Sequence, residues 1–208
     1  MKSLICIIYF ILFGLSAATA QNSFLPTGYH VQANGSGTPN ELRADLDGDG
    51  RPDVFRAIEQ GEGEDAMLMA VLKGGKAILY SHPLSMCCGS LSQKNGVIDV
   101  HSRGMRGFTY YKFRWDAGAK DFRLIGYATE SFGNAANDGS GKSSLNLLTG
   151  DYEAAFNSWN ERSQKLVALP RIKRRVTIGN RIYLKEFGEA EDEWLAMLNA
   201  KYLPKELR

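Results

Sequence analysis

Cysteine is scarce in this sequence, at three of 208 residues, and so are histidine, at three, and proline, at six. So few cysteines exclude a disulfide-dense miniprotein. The histidines stand far apart, at 30, 82 and 101, and no G-x-S-x-G, H-E-x-x-H or C-x-x-C stretch occurs. Charge of one sign is lacking too. The 25 Lys+Arg nearly balance 23 Asp+Glu, for a formal net charge of +2, so no field draws the chain to nucleic acid or an anionic membrane. After Leu15 no apolar run approaches the roughly 20 residues of a spanning helix. What remains, with 44% hydrophobic residues and 22 glycines, is a globular chain long enough to bury a core of its own.

The first twenty residues read as an export signal. Met1-Lys2 gives a positive start, Leu4 to Leu15 is almost unbroken apolar sequence, and Ala18-Thr19-Ala20 fits a small-residue cleavage site. Cleavage after Ala20 is expected, which places the mature chain in the periplasm or outside the cell. Cys6 lies within the apolar run, not after the cleavage motif, so lipid attachment is not indicated. Cys87 and Cys88 are then the remaining thiols, adjacent and bound for an oxidising compartment. Neighbouring Cα atoms lie about 3.8 Å apart, whereas ordinary disulfides span about 4.4–6.8 Å. A Cys87–Cys88 bridge would therefore force a tight turn, which Gly89 would ease. A vicinal disulfide, two buried thiols and an intermolecular link all stay open. A catalytic thiol lacks a base nearby in sequence.

Periodicity points to strands. Val54–Ile58, Ala66–Leu72 and, after Gly74-Gly75, Lys76–Tyr80 read as short strands, the second apolar on both faces and hence central. Val97–His101 puts Ile98 and Val100 on one face and Asp99 and His101 on the other. In Thr109–Trp115, Tyr111, Phe113 and Trp115 alternate with Lys112 and Arg114. Phe122–Tyr127 returns from it. Leu145 and Leu147 lead through Thr149-Gly150 to Tyr152, Ala154 and Phe156. A further hairpin is expected at Val176–Leu184 around Gly179-Asn180. One helix follows Gly188, with acids in its first turn, Trp194, Met197, Leu198 and Tyr202 on one face, and Pro204 ending it. The basic run Arg171–Arg175 reads as a solvated edge strand. The expectation is a mainly β protein: an antiparallel meander of hairpins, sandwich or partial propeller-like, over 21–160, with a C-terminal hairpin and one α-helix over 161–208 packed on the same domain.

One stretch carries chemistry. Residues 45–53 read D-x-D-G-D-G-x-x-D. A loop curling around a hard cation presents every second side chain inward, and calcium takes 6–8 oxygens. Asp45, Asp47, Asp49 and Asp53 offer four carboxylates, the Arg51 carbonyl stands at the seventh position, and water can complete the shell. Position twelve, where an EF-hand has its bidentate Glu, is Arg56, and no flanking helices are expected, so this is not an EF-hand pair. Without an ion the loop would be an Asp/Gly turn with four repelling acids.

This loop, entered from Leu42-Arg43-Ala44 and left by Val54-Phe55, resembles the calcium loops of FG-GAP/VCBS-type sequences. The wider run 24–150 resembles a group of secreted bacterial β proteins. Phe24 to Tyr29, Phe113-Arg114-Trp115, Phe122 to Gly126 and Leu147 to Gly150 carry that resemblance. It implies a β domain stabilised by one structural Ca²⁺, and it carries no activity with it. A single loop is too little for a full propeller.

Asn137–Ser143 has P-loop-like residues, but Ala136 stands where the first Gly belongs, and it reads as a loop between strands. The sequence is thus read as an exported, non-enzymatic binding or inhibitor/immunity-type module with one calcium site. Its expected partner is another envelope or extracellular protein, not nucleic acid, and no membrane span is expected after cleavage. The alternative is a hydrolase of cell-wall or extracellular polymers that uses paired carboxylates among Asp99, Asp121 and Glu130. A structural envelope role, with the C-terminal helix docking through Trp194 and Leu198 on another chain, is a third reading.

Overall fold

The structure, a computed structural model, describes residues 24–61, 65–85 and 89–207; the expected leader and the Cys87/Cys88 pair lie outside the described residues. Among the described residues, thirteen strands form two antiparallel sheets. The smaller contains β1 (His30–Val31), β2 (Glu41–Ala44), β3 (Asp53–Glu59), β4 (Met67–Leu72) and β5 (Ala77–Tyr80). Here β3, β4 and β5 lie in sequence order, and β1 and β2 share the outer edge of β3. The larger runs from β6 (Ser90–Lys94) through β7 (Val97–Gly104), β8 (Gly107–Asp116), β9 (Asp121–Phe132) and β10 (Ser140–Asn146) to β11 (Asp151–Asn160). Two short strands, β12 (Lys165–Ala168) and β13 (Ile172–Arg175), cover successive halves of the β11 edge. Breaking an edge into short pieces limits its exposed hydrogen-bonding row. In β13 lysine and arginine line it, and Lys173 pairs with Glu153 at 2.9 Å.

The core sits between the sheets. Phe55 and Ala57 of β3 and Leu68, Ala70 and Leu72 of β4 pack with Val100, Phe113, Phe122, Tyr152 and Phe156 of the large sheet in one cluster. Alternation builds this face: Tyr111 and Phe113 are buried while Lys112 and Arg114 are exposed. In β9 the alternation slips. Phe113 pairs with Leu124 but Lys112 pairs with Gly126, so Ile125 is an extra, bulged residue. The bulge keeps Phe122, Leu124 and Tyr127 all on the core side, which a strict period of two would not. The other face of the small sheet buries Ile58, Met69 and Val71 beneath Phe24, Leu25 and Tyr29.

The remaining inner face of the large sheet is covered by the helix α1 (Glu189–Lys201). Leu195 is buried, Tyr111 Oη donates to Asp192 at 2.5 Å, and Tyr152 Oη donates to Asn199 at 2.6 Å. Asn199 Nδ2 in turn donates to Thr129 at 3.2 Å. The buried face therefore centres on Leu195, flanked by half-buried Trp194 and Leu198, and Met197 points outward at 64% exposure. The expected Trp194/Met197 face is corrected by one step around the helix. Because α1 packs on its own sheet, the partner-docking reading of this helix loses its main support.

The hairpin expected at Val176–Leu184 does not form. Its arms find backbone partners on the large sheet instead. The Val176 N–H donates to Gly150, and the Leu124 N–H donates to Ile182 in the stretch that β10 leaves uncovered. Leu184–Glu186 is a single 3-10 turn. Two hairpins are not among the expected elements: β11 turns into β12, with Asn160 opposite Lys165, and β6 turns into β7. β6 meets β7 through Asn95-Gly96, both at positive φ (53° and 73°), with Lys94 opposite Val97. That is the two-residue turn which Asn-Gly favours.

Candidate metal centre

The 45–53 loop joins β2 to β3 and is anchored from below. Leu46 is 5% exposed and inserts into the core, so Asp45 and Asp47 on either side of it turn outward. Asp53, the first residue of β3, is 1% exposed. Its Oδ2 accepts the N–H groups of Leu46 (2.9 Å) and Asp47 (3.3 Å), and its Oδ1 accepts that of Lys73 (3.1 Å). One carboxylate thus ties both ends of the loop to the turn after β4. Burial pushes its pKa above the ordinary carboxylate value, against the Leu46 and Lys73 amides, which lower it; the Asp47 charge adds to the rise.

Above this anchor, carboxylate oxygens of Asp45, Asp47 and Asp49 lie within 4.8 Å of one another. Asp45 accepts the amides of Gly48 (2.7 Å) and Gly50 (3.0 Å). Asp47 accepts that of Asp49 (3.1 Å), and Asp49 that of Arg51 (2.9 Å). The loop curls tightly because Gly48 and Gly50 both take positive φ, 82° and 80°, where a side chain would be strained. Three hard oxygen donors converging on an exposed loop make a group that could hold a metal ion. Of the sequence-derived set, the structure brings Asp45, Asp47 and Asp49 together. Asp53 is not part of that group; both its oxygens accept backbone amides, and it stands as the residue that positions the loop.

The three carboxylates of the hydrolase alternative do not converge. Asp99, on the outer face of β7, is bonded to Lys112. Glu130, on β9, pairs with Lys142 at 2.9 Å. Asp121 is buried at the start of β9, where it accepts the Phe122 N–H at 2.7 Å and lies 4.0 Å from Lys185. Burial raises its pKa, opposed by the Phe122 amide. Nor does Asp99 orient His101. That imidazole stacks on Tyr110, with centroids 4.7 Å apart, and Ser90 Oγ lies 3.3 Å from its Nδ1. Burial lowers the His101 pKa.

No family model, curated protein or solved structure matches the chain. No described helix is long and apolar enough to cross a membrane.

Proposed function

We propose that this chain is an exported, non-enzymatic binding module whose small sheet is locked by one calcium ion in the 45–53 loop. The convergence of Asp45, Asp47 and Asp49 within 4.8 Å carries the reading. Three carboxylates held that close repel one another, and a divalent cation converts the repulsion into cross-linking. Calcium suits the site better than magnesium because it accepts irregular shells of 6–8 oxygens, whereas magnesium demands a near-ideal octahedron. The likeness of the loop to FG-GAP/VCBS sequences supports the same assignment, as the signal-like residues 1–20 support export. Binding, not catalysis, fits a body in which Asp99, Asp121 and Glu130 each answer to a different partner. Its target is an envelope or extracellular component, engaged in the manner of an inhibitor or immunity protein.

Thermal unfolding of the chain from Gln21 onward tests this reading. A ligand specific for the folded state adds about 2.7 kcal/mol at a hundred times its dissociation constant. For a chain of this size that corresponds to a rise of about 5–10 °C in Tm. Calcium is expected to produce that rise and EDTA to remove it, while the Asp47→Asn/Asp49→Asn double variant moves by less than about a quarter as much. Equal midpoints in calcium and EDTA for the wild type would reject the site.

A further inference from the structure

The outward face of the large sheet holds a furrow that the metal loop does not use. His101 and Tyr110 are opposite each other in β7 and β8, and their rings stack with an interplanar angle of only 4°. One face of Tyr110 is thereby covered. On its other side the register runs from Tyr110 to Ala128, then Ser144, then Glu153. Two small side chains in succession let the surface drop between the tyrosine ring and Glu153, leaving a cavity of about 440 Å³ with Ala128 and Ser144 among its lining. A second cavity of about 380 Å³ shares Tyr110, Ala128, Ser144 and Glu153 and continues past Gly126. The two form one trough, of the size that holds small organic ligands.

The walls are polar and their charges nearly balance: Arg171 lines one cavity and Asp151 the other, and the remaining charges are paired. Glu130 pairs with Lys142 and Glu153 with Lys173, each at 2.9 Å. An anionic ligand would gain Arg171 in one cavity but meet Asp151 in the other, and elsewhere would have to compete with these pairs. A neutral ligand bearing hydroxyls would not, because each hydroxyl both donates and accepts and can bridge a carboxylate and a neighbouring ammonium. The face of Tyr110 turned from His101 borders the cavity and can take a flat, weakly polar surface, which the C–H face of a sugar ring supplies. Since the trough extends along the sheet through two joined cavities, it fits consecutive rings.

We infer that this furrow binds a neutral oligosaccharide chain, with one ring stacked on Tyr110 above Ala128 and Ser144 and its hydroxyls between the Glu130–Lys142 and Glu153–Lys173 pairs. The inference rests on the binding-module reading and names its target class. The test is a glycan array of neutral and charged oligosaccharides, probed with the fluorescently labelled chain from Gln21 onward in calcium buffer, with hits titrated by calorimetry. At least one neutral oligosaccharide is expected to bind. Tyr110→Ala should weaken it by tenfold or more, and so should Ala128→Trp, which fills the trough from an outward position. Met105→Ala, at a loop tip 99% exposed, should leave it unchanged. If Tyr110→Ala fails to fold, Ala128→Trp decides. A blank array with folded protein, hits confined to sulfated or other polyanionic glycans, or undiminished affinity in Ala128→Trp would each overturn the inference. Saccharide binding by a protein that shows no thermal response to calcium would reject the metal site while leaving the furrow standing, so the two readings fail separately.

Discussion

Phe187→Ala is expected to cost about 3–5 kcal/mol, the range for removing a buried phenylalanine, and to lower Tm by on the order of 10 °C. Phe187 is fully buried and meets two rings of β8 edge-on, Tyr111 at 5.0 Å and Phe113 at 5.3 Å. Its carbonyl accepts the His82 N–H at 2.8 Å, so the same residue fastens the segment after β5 to the large sheet. The cavity left by alanine cannot be closed by sliding the chain. Gly188 already sits so close to His82 that a Cβ there would approach that side chain to 2.5 Å. Urea unfolding monitored by tryptophan fluorescence checks the value, with Met197→Ala as the surface control, expected within about 0.5 kcal/mol of wild type. A loss below about 1 kcal/mol for Phe187→Ala would mean that the C-terminal segment does not close the core as described.

Asp53→Ala is expected to be nearly as damaging, at about 3 kcal/mol, because it strips a charged acceptor from the amides of Leu46, Asp47 and Lys73. Asp53→Asn keeps the shape but turns an amide NH₂ toward one of those donors, and about 1–3 kcal/mol should be lost. Both losses should persist in EDTA, since this carboxylate acts on the backbone and lies outside the proposed metal group. Asp47→Asn should behave oppositely, with a deficit that appears in calcium and vanishes in EDTA. Denaturant titrations of the variants under both conditions separate the two roles. An Asp53→Asn deficit confined to calcium would make Asp53 a ligand after all and contradict its placement beneath the loop.

The contrast between these residues shows where sequence reading succeeds. β8 is legible because it alternates buried with exposed residues, β3 and β4 because each is a short apolar run buried on both faces, and the Asp loop because its spacing is complete within nine positions. Legibility ended where a contact is lateral or a neighbour substitutes for the expected one. Asp53 matched the ligand pattern, but only the fold shows three amides aimed at it. Val176–Leu184 has the composition of a hairpin, but its first arm bonds to Gly150 and its second to the uncovered end of β9. Ser90–Lys94 carries one large apolar residue, so β6 showed little periodicity, although Asn95-Gly96 marked its turn. Phe187 stands alone between Glu186 and Gly188 and gives no periodic signal. The trough depends on residues 101, 110, 128, 144 and 153 lying side by side on separate strands, which no single-strand pattern reveals.

Calorimetric titration of the EDTA-treated, buffer-exchanged protein with calcium chloride tests the central claim most directly. The account predicts one calcium per chain, binding weakened by at least tenfold in Asp47→Asn/Asp49→Asn, and much weaker binding of magnesium. Heat of dilution alone in the folded wild type, or a calcium isotherm unaffected by the double substitution, would contradict it.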